Sequence, residues 1–239
     1  MIQVQGLRLS LGAKLILDGI DFCLPDGENL VILGRSGSGK TVLIKCLLGL
    51  YPPEKGSIII DGKDIFQSSR EERSTIKNTF AMVFQHAALL DSFTVYQNVA
   101  LPLYERGNKD ESFIQKRVNE ALALVGLEHT QKQYPSELSG GMRKRIGIAR
   151  ALVYEPSYII FDEPVSGLDP ITASETLYYM SEIIASKRAT LITITHDLGS
   201  IAHLGQKALF IEMGKMLYYG DIEDIRQDKH PTIQRYFLG

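Results

Sequence analysis

The sequence predicts an α/β fold with a helical insertion, and three observations carry that expectation. Short β-rich apolar runs alternate with helical stretches on either side of the middle of the chain, the pattern of parallel strands joined by crossover helices. A glycine-rich loop, Gly34 to Thr41, separates the apolar run Leu30 to Leu33 from a helical stretch. From about Thr94 to Tyr154 the pattern turns helical: Ile114, Val118, Ala121, Leu122 and Val125 recur on one face, and Gly126 is a stop signal.

The elements follow in order. Ile2 to Leu9 alternates apolar and polar residues and reads as a strand. Ile20 to Leu24 and Asn29 to Leu33 are short strands parted by Pro25-Asp26-Gly27, a turn signal. A helix is expected over Val42 to Leu50, and Ile58 to Ile60 ends in Asp61-Gly62, a hairpin turn. Thr79 to Phe84 is strand-like, with Gln85 at its end. Ser139 is an N-cap candidate ahead of a basic helix running from Arg143 to about Val153. Strand Tyr158 to Phe161, helix Pro170 to about Lys187 and strand Thr190 to Thr195 resume the alternation. Lys207 to Tyr219 reads as two strands around Gly214, and Asp221 to Gln227 as a short helix. Residues 231–239 are apolar for a terminus, suited to packing on their own domain or to a partner contact.

Composition narrows the function classes. The 239 residues are 44% hydrophobic and 23% charged, ordinary for one globular domain or for a core carrying a subdomain. With 26 Lys and Arg against 28 Asp and Glu the net charge is −2, so no strong basic field favours nucleic acid or an anionic membrane surface. No apolar run approaches the roughly 20 residues of a spanning helix, and the N-terminus lacks the basic head and apolar centre of a signal peptide. The expectation is a chain soluble when isolated, with Cys23 and Cys46 in a reducing cytoplasm.

Gly34-Arg35-Ser36-Gly37-Ser38-Gly39-Lys40-Thr41 fits G-x-x-x-x-G-K-[ST] in full, with Val42 next in the helix. Glycines let successive N–H groups converge on phosphate oxygens, and the helix N-terminus adds partial positive charge. Lys40 is placed to reach the β- and γ-phosphates and the Thr41 hydroxyl to ligate Mg2+. Asp162 and Glu163 emerge at the carboxyl end of the apolar run 158–161, where open α/β sheets bind ligands. Beside a phosphate loop, Asp162 suits Mg2+ held through water and Glu163 a general base, with Pro164 blocking helical continuation.

Leu138-Ser139-Gly140-Gly141-Met142 is either an ordinary capped helix start or a second anion site, which would serve the nucleotide of another copy. The Arg-Lys-Arg run behind it is a solvated face or a binding patch. His196 follows its strand directly, where it can meet a γ-phosphate or the attacking water, and Gln85 suits Mg2+ or that water.

Glycine loop, Gln85, Leu-Ser-Gly-Gly, Asp-Glu and His196 occur in one order along essentially the whole chain, and that ordered set resembles the ATPase subunit of an ATP-binding cassette (ABC) transporter. The resemblance implies a P-loop NTPase (RecA-like) core with an N-terminal antiparallel β subdomain and an inserted α-helical signature subdomain. It divides a single domain into a core of 1–93 and 156–239 and a helical part of about 94–155. Gly34 to Thr41 matches Walker A, Gln85 the Q-loop, and Leu138 to Gly141 the signature. Asp162 and Glu163 match Walker B and the catalytic glutamate, Asp169 the D-loop aspartate, and His196 the switch histidine. It implies ATP and Mg2+, bound between two copies so that Ser139, Gly140, Gly141 and Met142 act in trans.

Phe84 to Val95, Asn98 to Leu103, the Leu-Ser-Gly-Gly-Met run and Gly167 to Thr172 are similar to the Mla-type branch, which energises lipid movement between bacterial membranes. That branch implies a membrane-embedded permease met through about Ala87 to Leu103, an MCE-domain protein in the same complex, and no nucleic acid. It places the chain in the cytoplasm, peripheral on the cytoplasmic face of the inner membrane. Two positions depart from the wider family: Leu11 stands near the usual adenine-stacking aromatic, and Met142 replaces the usual Gln. A small-solute importer, a lipoprotein-release ATPase and a nucleic-acid or ribosome clamp are the competing readings. The last lacks the long coiled coil or second cassette such proteins often carry.

Overall fold

The computed structural model describes residues 1–85, 87–186, 189–196 and 204–238, so that His86, Lys187, Asp197, His203 and Gly239 lie outside the described residues. The chain divides into two compact units, residues 1–80 with 190–239, and residues 81–189.

The first unit opens with strands β1 (Ile2–Leu11) and β2 (Lys14–Leu24), a long antiparallel hairpin. Strict alternation would have turned Leu7 outward after Val4. A register shift at Gln5-Gly6 resets the phase, so Ile2, Val4, Leu7 and Leu9 all face inward. After β3 (Leu30–Leu33) and α1 (Lys40–Leu47), β4 (Lys55–Ile60) pairs with the other edge of β1 and turns at Asp61-Gly62 into β5 (Lys63–Asp64). The resulting antiparallel order is β2-β1-β4-β5.

Helix α1 begins two residues before the expected Val42 and stops at Leu47 rather than Leu50. Gly49 is the cause. At φ 65° it terminates the helix, its N–H donating to the Cys46 carbonyl and that of Leu50 to the Lys45 carbonyl. Helix α2 (Arg70–Asn78) was not expected, although Ser69 and Glu72 form a reciprocal capping box visible as S-x-x-E.

The second unit contains neighbouring strands β6 (Phe80–Val83) and β7 (Tyr158–Asp162). Between them in sequence lie α3 (Val95–Glu105), α4 (Glu111–Ala123) and α5 (Gly140–Leu152), and α6 (Pro170–Ala185) follows. The apolar stripe of α4 is buried as its spacing predicts: Ile114, Val118, Ala121 and Leu122, with Val125 beyond the helix end.

Back in the first unit, β8 (Thr190–Ile194) and β9 (Lys207–Glu212) flank β3, both parallel to it. β9 turns through Met213-Gly214 into antiparallel β10 (Lys215–Asp221). The expected helix from Asp221 is only a single turn, Ile225–Gln227. The last residues form α7 (Pro231–Leu238), with Ile233 fully buried and Tyr236 edge-on to Phe210 at 4.9 Å. Among the described residues no helix is long and apolar enough to cross a membrane. Cys46 is buried, which pushes its thiol up to about 12, while Cys23 is exposed.

Candidate functional site

In the first unit β3 is buried along its whole length and delivers the chain to Gly34. Gly39 then forms the N-cap of α1 at φ 112°, with no side chain capping the helix. The leading amides of α1 are therefore left for a ligand rather than for the protein's own oxygen. Gly34 cannot be another residue. A Cβ there would lie 2.1 Å from the Ile211 carbonyl oxygen and 2.8 Å from Ser38 Oγ. The Ser38 hydroxyl oxygen is itself buried with no hydrogen-bond partner, a polar atom that a phosphate oxygen would satisfy.

Lys40 is only 8% exposed, and its ammonium spans the loop to donate to the carbonyls of Gly34 (2.6 Å) and Arg35 (3.0 Å). Arg35, Ser36, Gly37 and Thr41 are exposed and Val42 is half-buried. An open backbone cradle with a buried ammonium at its root fits a polyphosphate, and the exposed Thr41 hydroxyl fits a Mg2+ ligand. Leu11 ends β1 with its side chain exposed. His196 follows β8 and is exposed, its carbonyl accepting a 2.5 Å hydrogen bond from the Tyr236 hydroxyl.

In the second unit β7 is buried through Phe161, and Asp162 and Glu163 are half-buried at its end. Glu163 has φ 49°, a left-handed backbone uncommon for a non-glycine residue. No right-handed helix continues at the acid, but its backbone is left-handed rather than the extended one that a following proline favours, so the chain turns out of the strand direction there. Asp162 and Glu163 share one electrostatic neighbour, Lys144 on α5. That ammonium is buried at 3% exposure and donates to the Gln85 carbonyl at 2.7 Å. Burial lowers its pKa, and the two carboxylates oppose the shift. The side chain of Gln85 is exposed.

Ser139 is the N-cap of α5, its hydroxyl accepting from the Met142 N–H at 3.2 Å. Ser139 and Gly140 are exposed, Gly141 and Met142 half-buried. A Cβ on Gly141 would come within 2.9 Å of the Thr172 methyl. Thr172 in turn belongs to the cap of α6. Asp169 accepts from the N–H groups of Ile171 and Thr172 (both 3.1 Å) and from the Thr172 hydroxyl (2.7 Å). That hydroxyl, then the amides, hold the Asp169 carboxyl below the usual carboxylate range.

The segment from Ala87 to Leu103 leads into α3, where Asn98 is fully buried. Phe93, Tyr96, Leu101 and Tyr104 line an open groove of about 650 Å³ beside it. Sequence reasoning missed Lys144 and Arg150. The Arg-Lys-Arg run is neither a solvated face nor a patch throughout, since Arg143 is exposed while Lys144 is buried. Only the helical spacing of 144, 147 and 150 hinted that these residues share a side. Among the described residues no cluster of His, Cys, Asp and Glu has metal-binding geometry.

Residues 17–166 match the family described as ABC transporter. The probable ribonucleotide transport ATP-binding protein mkl of Mycobacterium tuberculosis is 40% identical over 238 residues, covering 100% of this chain and 66% of that protein. The methionine import ATP-binding protein MetN of Haemophilus ducreyi is 37% identical over 228 residues, covering 95% of this chain and 66% of that protein. This chain thus spans 66% of the length of these relatives. Among solved structures, cbiO1 from Clostridium perfringens, part of the ABC transporter complex cbiONQ, superposes with a TM-score of 0.87 at 30% identity, covering 99% of this chain and 94% of that one. A dimeric ATP-binding cassette in a post-hydrolysis state with ADP and Pi gives 0.80 at 27% identity, covering 93% and 99%. With its mixed sheets, antiparallel β part and helical insert, the chain belongs to the ABC transporter family as an ATP-binding cassette, the P-loop ATPase that binds ATP with Mg2+ and hydrolyses it.

Proposed function

We propose that this chain is the ATP-hydrolysing subunit of a membrane transport complex that moves phospholipid or another lipid between bacterial membranes. One observation carries the reading. A chain with a complete phosphate loop presents a second helix start, that of α5, capped by an exposed Ser139 and opened by Gly140 and Gly141. Two anion-seeking helix starts in one chain are explained if two copies pair head to tail and each gives Ser139 to Met142 to the other's nucleotide.

In this reading the residues from Gly34 to Val42 bind the phosphates, and Lys40 offsets charge developing on the γ-phosphate. Thr41, Gln85 and Asp162 hold Mg2+, Asp162 through water; the metal's part is to neutralise phosphate charge. Glu163 accepts the proton of the attacking water and His196 helps to hold that water and the γ-phosphate. Asp169 lies at the seam between copies. The groove beside α3 receives the permease, so the chain sits at the cytoplasmic face of the inner membrane, in a complex that includes an MCE-domain protein. The lipid cargo is supported by the Gln85 and signature segments, which resemble the Mla-type branch. The likeness to a methionine importer supports a second reading, a small-solute importer with the same engine.

Purification of the intact complex followed by mass spectrometry of bound lipid tests the cargo: phospholipid in stoichiometric amount is expected, and a lipid-free complex stimulated by a small solute favours the importer. Glu163→Gln is expected to lower Mg-dependent ATPase by about 100-fold or more while ATP binding persists. Full activity in that variant removes Glu163 as the base.

A further inference from the structure

One face of α5 meets the main chain that follows Gln85 at three successive points. Lys144, Gly147 and Arg150 are spaced by three residues and so lie on one side of the helix. Lys144 donates to the Gln85 carbonyl at 2.7 Å. Arg150 donates from Nη2 to the Ala87 carbonyl at 2.6 Å and from Nη1 to the Ala88 carbonyl at 2.8 Å. Between them Gly147 supplies the room, since a Cβ there would lie 3.2 Å from the Ala87 Cβ and 3.4 Å from its Cα.

The backbone gripped in this way is one the chain would not choose. Ala87 and Ala88 are consecutive left-handed residues, at φ 58° and 46°, where alanine is rarely found. Such a conformation persists only where its surroundings impose it. Both cations point at carbonyl oxygens of this segment, and charge-assisted donors are the strong ones.

We infer that Lys144, Gly147 and Arg150 form a positioning clamp through which α5 dictates the main-chain course at Gln85, Ala87 and Ala88. The N-terminal turn of the same helix carries Ser139 to Met142, so a nucleotide engaged there is felt at the Gln85 segment. The second statement rests on the proposed in-trans role of Ser139 to Met142; the first does not. None of the three clamp residues touches the reacting atoms, and they act through the segment they hold.

Hydrogen exchange read by mass spectrometry on the full chain separates the two. Without nucleotide, Arg150→Met is expected to raise exchange in peptides covering 84–90 by about tenfold or more, the loss of two charge-assisted bonds, while exchange within α5 stays unchanged. Arg150→Lys, which keeps one donor group, restores part of the protection. Wild-type exchange at 84–90 in Arg150→Met overturns the clamp. Should that variant not fold, Gly147→Ala retains both cations and only presses on Ala87, and faster exchange at 84–90 is again expected; none overturns the clamp.

With MgATP in a Glu163→Gln background, protection should rise at both 138–143 and 84–90. Adding Arg150→Met should keep the rise at 138–143 and abolish it at 84–90. Persistence of both overturns the transmission. No rise at 138–143 with the clamp intact refutes the in-trans reading instead, and the nucleotide-free comparison still decides the clamp.

Discussion

Asn98→Ala is the sharpest stability test of the second unit. Asn98 is fully buried on α3, and its amide serves a loop that has no ladder of its own. Its Nδ2 donates to the carbonyls of Leu90 (3.1 Å), Phe93 (3.1 Å) and Thr94 (3.0 Å), and its Oδ1 accepts from the Leu90 N–H at 2.8 Å. Two amide hydrogens are shared among three carbonyls, so the side chain contributes about three effective bonds, or about 3 kcal/mol at about 1 kcal/mol each. For a chain of this size that is a fall in Tm of about 6–12 °C. Thermal unfolding followed by circular dichroism measures it. Asn98→Asp is nearly isosteric but turns a carboxylate oxygen toward the same carbonyls, and should cost more than the alanine at neutral pH. A loss below about 1 kcal/mol for the alanine, or an aspartate as stable as the wild type, refutes the argument. Because Phe93 and Thr94 also line the groove beside α3, permease binding in the assembled complex should weaken with stability.

Ser139→Ala removes the cap of α5 and should lower stability by about 1 kcal/mol in denaturant titration, whereas an unchanged midpoint denies Ser139 its capping role. Tyr236→Phe keeps the ring against Phe210 but loses the hydroxyl given to the His196 carbonyl. Steady-state ATPase kinetics should show kcat down by about two- to tenfold with KM for ATP little changed, and an unaltered kcat means that α7 does not position His196. Hydrogen bonds hold three exposed carboxyls below the usual range: the Ser112 side chain at Asp110, the Thr172 side chain at Asp169 and the Ser69 backbone at Glu72. Their stabilisation is complete above the ordinary carboxylate pKa of about 4 and is lost as pH falls through the lowered folded values. Urea midpoints should therefore drop on acidification below about pH 4, less steeply with Asp110→Asn, Asp169→Asn and Glu72→Gln combined; equal slopes count against this. Ala88→Gly relieves a left-handed alanine and should raise the unfolding free energy by about 0.5–1 kcal/mol, while a loss means that Ala88 is not strained.

The sequence made the phosphate loop, the acid pair and the capped signature helix legible because each is a local pattern whose physics is complete within a few residues. The Schellman stop at Gly49 and the capping box at Ser69 were equally local, and each was visible as Leu-Gly-Leu and S-x-x-E. The resetting bulge at Gln5-Gly6 leaves a mark in the spacing, since the apolar Val4 and Leu7 stand three residues apart where strict alternation needs an even number; reading Ile2 to Leu9 as simple alternation passes over that break. Lys144 and Arg150 were hidden for another reason. A cation on a helix ordinarily belongs to solvent, and only the long-range approach of the segment that begins at Gln85, with Gln85 and Lys144 59 residues apart and Ala87 and Arg150 63 apart, makes each a structural donor. Such partners are set by the fold, and no window along the chain contains both ends.

Strain shows where that long-range order is spent. Among the described residues six non-glycine positions have positive φ: Asp61, Ala87, Ala88, Glu155, Glu163 and Met213. Asp61 and Met213 precede Gly62 and Gly214 in two-residue hairpin turns that require positive φ at both positions, so their geometry serves the sheet. Ala87, Ala88 and Glu163 serve no turn of that kind. They stand just after Gln85 and at the end of β7, beside the residues assigned to Mg2+ and to water. At about 1–2 kcal/mol each, the three cost about 3–6 kcal/mol, a large share of a typical stability of about 5–15 kcal/mol. Charge-assisted hydrogen bonds at about 1.5–3 kcal/mol each, from Lys144 and the two nitrogens of Arg150, are of the size needed to offset it. Glycine at 87 and 88 would have removed the strain and with it the dependence on α5. Alanine keeps the Gln85 segment in place only while the helix holds it, which is what a segment answering to the signature end of that helix requires.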